Sequence, residues 1–141
     1  MRIMAFDSGT KRIGVASSDE TALIAAGIGY IEVNEKTDEE LKKVVEERKP
    51  GRLVVGRPLN MNGTDNPKTT FANELAERLK VLFPGMEIVM WDERLTSMQA
   101  NKMLIAGGMR RDKRKETVDK VAAALILQNY LDFLKMRERN V

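Results

Sequence analysis

The chain opens on a short apolar run at residues 3–6, closed by Asp7-Ser8-Gly9-Thr10. The run predicts a buried strand, and the residues that close it predict a tight turn. Apolar positions resume over residues 12–17, so the two segments predict a hairpin. Residues 25–33 predict a third strand after a polar turn at 18–21. The period then changes. Thr37 and Glu40 have the spacing of a capping box, and Leu41, Val44 and Val45 follow at helical intervals until Lys49-Pro50-Gly51 stops the helix. Residues 53–56 predict a buried strand, followed by a long loop over 57–66. Pro67 suits the first position of a helix whose stripe, Phe71, Leu75, Leu79 and Leu82, runs to Pro84-Gly85. Residues 88–91 predict the last strand. Thr96 with Gln99 forms a second capping box, for a helix through Ile105 that Gly107-Gly108 ends. A basic loop then leads to a final helix over about residues 116–135.

The order β-β-β-α-β-α-β-α-α places three meander strands before two βα units and predicts an α/β fold. Helices between the later strands imply parallel pairing through right-handed crossovers. With the first strand central, strands one, four and five run parallel and their C-terminal ends share one edge. Open α/β sheets carry their sites at that edge. The residues expected there are Asp7, Gly56 with its loop, and Asp92-Glu93.

The 141 residues are the length of one domain, expected to span 1–141, and no repeat or linker divides them. Cysteine and histidine are both absent. A disulfide framework, a zinc finger, a thiol nucleophile and imidazole acid–base chemistry are thereby excluded. Catalysis would have to use carboxylates, lysine, tyrosine, hydroxyls or a metal held by oxygen. With 24 basic and 21 acidic residues the net charge is +3, too small a bias to name a partner, so the distribution of charge matters more. The longest apolar run, residues 121–127, is far below the ~20 that a spanning helix needs. No leader is expected before the first strand, and the expected location is the cytoplasm.

Asp7 ends a buried strand, where an unpaired charge is costly. Its local reading is a turn residue bonding the amides of Gly9 and Thr10. Asp92 and Glu93 end another strand. Successive side chains alternate, so only one of them can share a face with Asp7. Asp119 is in line with Ala122, Ala123, Ile126 and Tyr130, the apolar stripe of the last helix. It also reads as a first-turn acid favoured by the helix dipole, with Thr117 as cap. Taken together, these acids would crowd one pocket and repel. A hard cation resolves the repulsion, and oxygen-only ligands select magnesium or manganese. Two such ions ~4 Å apart can activate water and stabilise the leaving oxygen in phosphodiester cleavage.

Four segments then carry a resemblance. They are Asp7-Ser8-Gly9-Thr10-Lys11-Arg12-Ile13-Gly14-Val15-Ala16, Val55-Gly56-Arg57-Pro58-Leu59-Asn60-Met61-Asn62-Gly63, Asp92-Glu93-Arg94-Leu95-Thr96, and Val118-Asp119-Lys120-Val121-Ala122-Ala123-Ala124-Leu125-Ile126-Leu127-Gln128. In order and spacing they resemble the YqgF family, also called RuvX, RuvC-like domains of the ribonuclease H-like fold. The resemblance implies a five-stranded mixed sheet in the order 3-2-1-4-5, the first three strands antiparallel, with helices on both faces. It implies a magnesium- or manganese-dependent nuclease, using two ions, that acts on pre-16S ribosomal RNA or on Holliday junctions. Carried over by motif, the catalytic and metal-binding acids would be Asp7, Glu93 and Asp119, with Asp92 a possible accessory. The sequence departs from the wider superfamily at Gly56, where many relatives carry an acid, and has Asn62 where many members have aspartate.

Arg110-Arg111-Asp112-Lys113-Arg114-Lys115 concentrates positive charge directly before the helix of Asp119. A charge run is commonly a solvated face, but here its position beside the expected site favours phosphate binding. With Lys11, Arg12, Arg57 and Arg94 it predicts a salt-sensitive, largely sequence-independent grip on a nucleic-acid backbone. Asn60 and Asn62, in the loop that Gly63 bends, are candidates for positioning substrate. The expected partner is nucleic acid, RNA before DNA, in ribosomal precursor particles, bound by a monomer or homodimer. Two other classes compete. Asp-x-Gly-Thr also opens ATP-binding domains of the actin type, but these need two such domains. A catalytically silent RNA-binding or regulatory module would keep the acids for structure alone.

Overall fold

The computed structural model describes residues 1–92 and 111–139, with side chains over 1–92 and 121–138. In chain order the elements are β1 (Ile3–Asp7), β2 (Arg12–Ser18), β3 (Ala25–Glu32), α1 (Thr37–Arg48), β4 (Arg52–Arg57), α2 (Pro67–Leu82), β5 (Glu87–Asp92) and α3 (Arg111–Arg139). The strands form one sheet in the order β3-β2-β1-β4-β5. Strand β1 is antiparallel to β2 and parallel to β4, β2 is antiparallel to β3, and β4 is parallel to β5. This is the expected five-stranded mixed sheet.

Both faces of the sheet are covered, which explains why its central strands read as unbroken apolar runs rather than alternating ones. On one face, Met4, Phe6, Leu53 and Val55 pack with Leu41 and Val45 of α1 and with Ala72, Leu75, Ala76 and Leu79 of α2. On the other, Ile3, Ala5, Ala16 and Val54 pack with Ala123, Ile126, Leu127, Tyr130 and Leu131 of α3. Each of the Val, Leu, Ile, Phe and Met side chains among them, fully buried, contributes roughly 1.5–3 kcal/mol. Polar side chains fix the rim of the second layer. Gln128 accepts a hydrogen bond from the Ala25 amide at 2.9 Å and donates to the Leu23 carbonyl at 3.1 Å, so α3 holds the start of edge strand β3. Arg52 donates to Glu87 at 2.8 Å and to the Tyr130 hydroxyl at 3.0 Å, joining β4, β5 and α3 at the opposite edge from Asp7. Trp91 meets the Tyr130 ring edge-on at 5.3 Å.

Several local expectations are corrected. Thr37 is not the cap of α1. Lys36 holds the N-cap position without a side-chain bond, while the buried Thr37 hydroxyl donates toward Glu32 and Asn34 carbonyls and accepts from the Asn34 amide. The capping box belongs instead to α2. There Asn66 accepts from the amides of Lys68 and Thr69, and the Thr69 hydroxyl accepts from the Asn66 amide. Phe71 leaves the core stripe and is 37% exposed. Helix α3 already includes Arg111, so the basic run from that residue is helical and not a loop. Asp119 is thus about two turns inside the helix, beyond the reach of a first-turn dipole effect. The second capping box, at Thr96 and Gln99, and the helix expected there lie outside the described residues. Among the described residues, no helix is long and apolar enough to cross a membrane.

The β2–β3 loop is organised by Asp19. Its carboxylate accepts from the hydroxyl and amide of Thr21, from the Leu23 amide at 2.8 Å and from the Ile24 amide at 3.0 Å. The Thr21 hydroxyl, then the Ile24 and Leu23 amides, hold the Asp19 carboxyl well below the usual carboxylate range. A carboxylate whose pKa is depressed by folding stabilises the fold above its unfolded value of about 3.9 and loses that contribution as pH falls below it. The urea midpoint of the protein should therefore fall between about pH 5 and pH 2, and more steeply than that of Asp19→Asn. Parallel curves for the two proteins would contradict this account.

Candidate active site at the C-terminal edge of the sheet

The registers assign each side chain at this edge to a face. Ala5 and Val54 pack against α3, and Phe6 and Val55 against α1 and α2. By strict alternation Asp7 belongs to the α3 face. Its carboxylate is half-buried. Its cross-strand partner on β2 is Gly14. On β4 the position after the Phe6–Val55 pair is Gly56. Both glycines are buried, so Asp7 has no side chain beside it on either neighbouring strand. Arg12 falls on the same face by the same count, with its guanidinium carbon 5.4 Å from the centre of the Tyr30 ring.

On β5, Val89 and Trp91 pack toward α3, whereas Met90 packs toward the other helices. Asp92, opposite Arg57, continues that alternation on the α1–α2 face. The two acids expected at the edge and visible in full are therefore on opposite faces. Glu93, Arg94 and Arg110 lie outside the described residues. Asp119, Arg111, Lys113, Arg114 and Lys115 are placed only by the helical backbone of α3. Asp119 is one turn before Ala123 and two before Ile126, both in the core against the sheet. Among the described residues, no group of three acids is close enough to hold a metal ion.

The loop after β4 is tied from within. The Asn60 amide nitrogen donates to the Thr64 hydroxyl at 3.0 Å and to the Asp65 carbonyl at 3.1 Å. Asn62 accepts from the Thr64 amide at 3.1 Å and from its hydroxyl at 2.6 Å. Gly63 takes the positive φ, 87°, that closes the turn. Leu59 bridges to Asp65, and the Thr69 hydroxyl donates to the Pro58 carbonyl. Asn60 and Asn62 thus act first on the loop itself. Arg57 leaves the loop base with its outer nitrogen 3.4 Å from Asp65, while its Nε is shielded and has no hydrogen-bond partner among the described residues. Lys11 is exposed in the β1–β2 turn, and its carbonyl accepts from the Val33 amide at 2.9 Å.

Comparison with known proteins gives a consistent picture. The family model described as "RuvX: Holliday junction resolvase" matches residues 1–133. A protein of Thermoanaerobacter pseudethanolicus is 46% identical over 138 residues, covering 96% of this chain and 99% of the relative. One of Bacillus cytotoxicus is 43% identical over 136 residues, covering 94% and 98%. Both carry the name "Putative pre-16S rRNA nuclease". Among solved structures, the fowlpox virus Holliday junction resolvase superposes with a TM-score of 0.60 at 13% identity, over 95% of this chain and 99% of that one. Thermus thermophilus RuvC bound to a Holliday junction superposes with a TM-score of 0.54 at 13% identity, over 89% and 92%. At that identity the likeness concerns the RuvC-like, ribonuclease H-like fold.

The turn that carries Asp7 depends on Gly9. A Cβ there would stand 2.6 Å from the Arg12 carbonyl oxygen, closer than real contacts allow. Gly9→Ala should lower stability by about 1–3 kcal/mol in urea unfolding. Thr10→Ala, at an exposed position, should change it by less than about 0.5 kcal/mol. Equal midpoints for the two variants would show that the turn yields without cost.

Proposed function

The chain belongs to the RuvX family, and from that premise we propose that it is a divalent-metal-dependent phosphodiester nuclease that trims the end of pre-16S ribosomal RNA in the cytoplasm. The observation that carries this reading is the position of Asp7. It is a half-buried carboxylate at the end of the central strand, flanked by glycine on both sides and facing the helix of Asp119.

The donor set fits a hard cation, because the chain offers carboxylate oxygens and neither imidazole nor thiolate. Asp7, Glu93 and Asp119 would hold it. The alternation along β5 supports Glu93 over Asp92, since Asp92 is directed to the other face. The path of α3 supports Asp119. Tyr130 bonds Arg52 at the start of β4. From Tyr130 back to Asp119 the helix rises about 16 Å, against about 13 Å along β4 from Arg52 to Gly56. Asp119 is therefore long enough down the helix to come level with the edge of Asp7. When bound, one or two such cations supply charge stabilisation at phosphoryl oxygens and acidify water.

The chain's own residues do the rest. Strand β1 fixes Asp7, and its glycine neighbours leave room for a phosphate beside it. Arg12 on the same face and Arg57 at the loop base neutralise backbone phosphates, with Lys11, Arg94 and Arg110 extending the rim. Asn60 keeps the loop of Arg57 in shape. Arg111, Lys113, Arg114 and Lys115 lie in the described part of α3 that precedes Asp119. There they offer positive charge to an anionic backbone beside the site.

A second reading, cleavage of four-way DNA junctions, draws on the family description and the RuvC-like fold. The deciding assay compares a pre-16S leader, single-stranded DNA and a four-way junction, each with magnesium and with manganese. Asp7→Asn and Glu93→Gln should abolish cleavage and leave folding and most RNA binding intact, whereas Asp92→Asn should retain it. Full activity of Asp7→Asn removes the proposal. Junction cleavage without leader cleavage transfers it to DNA, and RNA binding with no cleavage under either ion favours a silent module.

The basic rim makes a separate prediction. Changing Arg12 or Arg111 to alanine should weaken RNA binding about equally for all sequences and reduce the slope of log affinity against log salt by about 1 each. An unchanged slope would take that residue off the backbone path.

A further inference from the structure

One step beyond Asp7 the chain crosses to the other face of the sheet and borders a cleft that the readings above leave unused. Its volume is about 180 Å³. Ser8, Gly9 and Thr10 of the β1–β2 turn form one wall, and Phe71, Glu74 and Arg78 of α2 the other. Ile13 and Leu75 make the interior apolar. We infer that this cleft receives one unpaired base of the nucleic-acid strand whose backbone passes Asp7, with guanine preferred. The inference rests on the nuclease reading for the identity of the strand and adds the base and the residues that read it.

Size is the first argument. A cavity of roughly 150 Å³ takes a benzene ring, whereas drug-sized ligands occupy roughly 300–1,000 Å³. The cleft suits a base entering from its open side and is too small for a whole nucleoside triphosphate, which also weighs against an ATP site at this Asp-x-Gly-Thr turn. Shape is the second. Phe71, Glu74, Leu75 and Arg78 follow at spacings of three, four and seven on α2 and so share one face. Phe71 is 37% exposed although it heads an apolar stripe. Unpaired bases are characteristically held by stacking on such aromatic side chains.

Polar chemistry then selects the base. The Glu74 carboxylate only accepts hydrogen bonds, and the Arg78 guanidinium only donates. Guanine presents adjacent N1–H and N2–H donors to the first and the O6 and N7 acceptors to the second. Adenine and cytosine each offer a single amino group, and uracil a single imino group. Arg78 pairs with Asp38 at 3.2 Å, but both side chains are about half exposed, and an exposed pair of this kind exchanges partners at little cost. Ser8 Oγ is shielded from solvent and has no hydrogen-bond partner among the described residues. It can both donate and accept, and a base seated beside the turn would supply what it lacks.

The test uses the full chain carrying Asp7→Asn, so that binding is read without cleavage. Fluorescence anisotropy would compare short single-stranded RNAs identical except at one position, which carries guanine, inosine (guanine without its 2-amino group) or no base. Guanine should bind tightest, inosine several-fold weaker and the abasic strand weakest. Phe71→Ala should weaken the guanine strand about tenfold and remove the abasic difference. Glu74→Ala should remove the difference between guanine and inosine alone. Phe71→Leu, which keeps apolar bulk without a ring face, should behave as Phe71→Ala and guards against misfolding of the smaller variant. Equal binding of guanine and abasic strands, no binding of either, or undiminished discrimination in both Phe71 variants overturns the inference. The unsubstituted protein separates the two readings. Cleavage without base discrimination removes the base cleft alone, and discrimination without cleavage removes the nuclease reading alone.

Discussion

The burial of β1 on both faces governs the rest of the structure. Ile3, Met4, Ala5 and Phe6 are all removed from solvent, alternately against α3 and against α1 with α2. A strand of this kind has no tolerance for slippage, because moving it by one residue would exchange its two sets of side chains between unlike cores. Its end is therefore fixed in position and in direction. Asp7 is the first residue of the strand that can be charged, and the pleat sends it toward α3, whereas Ser8 turns to the other side. The candidate metal ligand and the candidate base cleft are neighbours in sequence and are separated by the thickness of a sheet edge.

That fixed point has an electrostatic consequence. A half-buried carboxylate keeps its charge only where something answers it. Arg12 shares its face. The glycines at positions 14 and 56 leave the space beside the carboxylate open on both neighbouring strands. Gly56 carries the larger implication. In parallel sheets the end of the neighbouring strand is the natural place for a second acid, and here it is vacant of any side chain. On the proposed reading, the further oxygen ligands would come from Glu93 and from Asp119 of α3. Such a site would span layers, and its assembly would be coupled to the docking of α3 in a way that a site confined to strand ends would not be.

The topology was legible in the sequence because each strand is bounded by turn chemistry and each crossover contains a helix. The meander and the two βα units leave few arrangements, and the sheet order follows. Cap details were less legible. Thr37 has the spacing of a cap, yet its hydroxyl is drawn into the strand-to-helix turn, where Asn34 competes for it. Asn66 is a cap whose third helical residue is threonine, outside the glutamate or glutamine pattern that marks a capping box. The basic run from Arg111 was read as a loop because it carries no apolar stripe, yet its backbone is helical. Phe71 was assigned to the core by period alone. Periodicity reports the line of a helix face and is silent on where the sheet beneath it stops, so a residue at the margin reads the same as one over the centre.

At the site the sequence left one choice open. Alternation could state that Asp92 and Glu93 part company, but the choice between them requires the phase of β5, which Trp91 supplies by packing on Tyr130 and Phe133 of α3. The loop after β4 illustrates the converse. Its asparagines look like substrate contacts from their composition, and in the structure they close the loop on itself. An amide that already bonds within a tight turn serves recognition by presenting its neighbours, so the informative residue of that loop is Arg57. Its outer nitrogen bonds Asp65 at 3.4 Å, while its shielded Nε has no hydrogen-bond partner among the described residues. Ser8 and Arg57 each keep a shielded polar atom at this edge without a hydrogen-bond partner among the described residues, which sets the edge apart from one that is merely solvated.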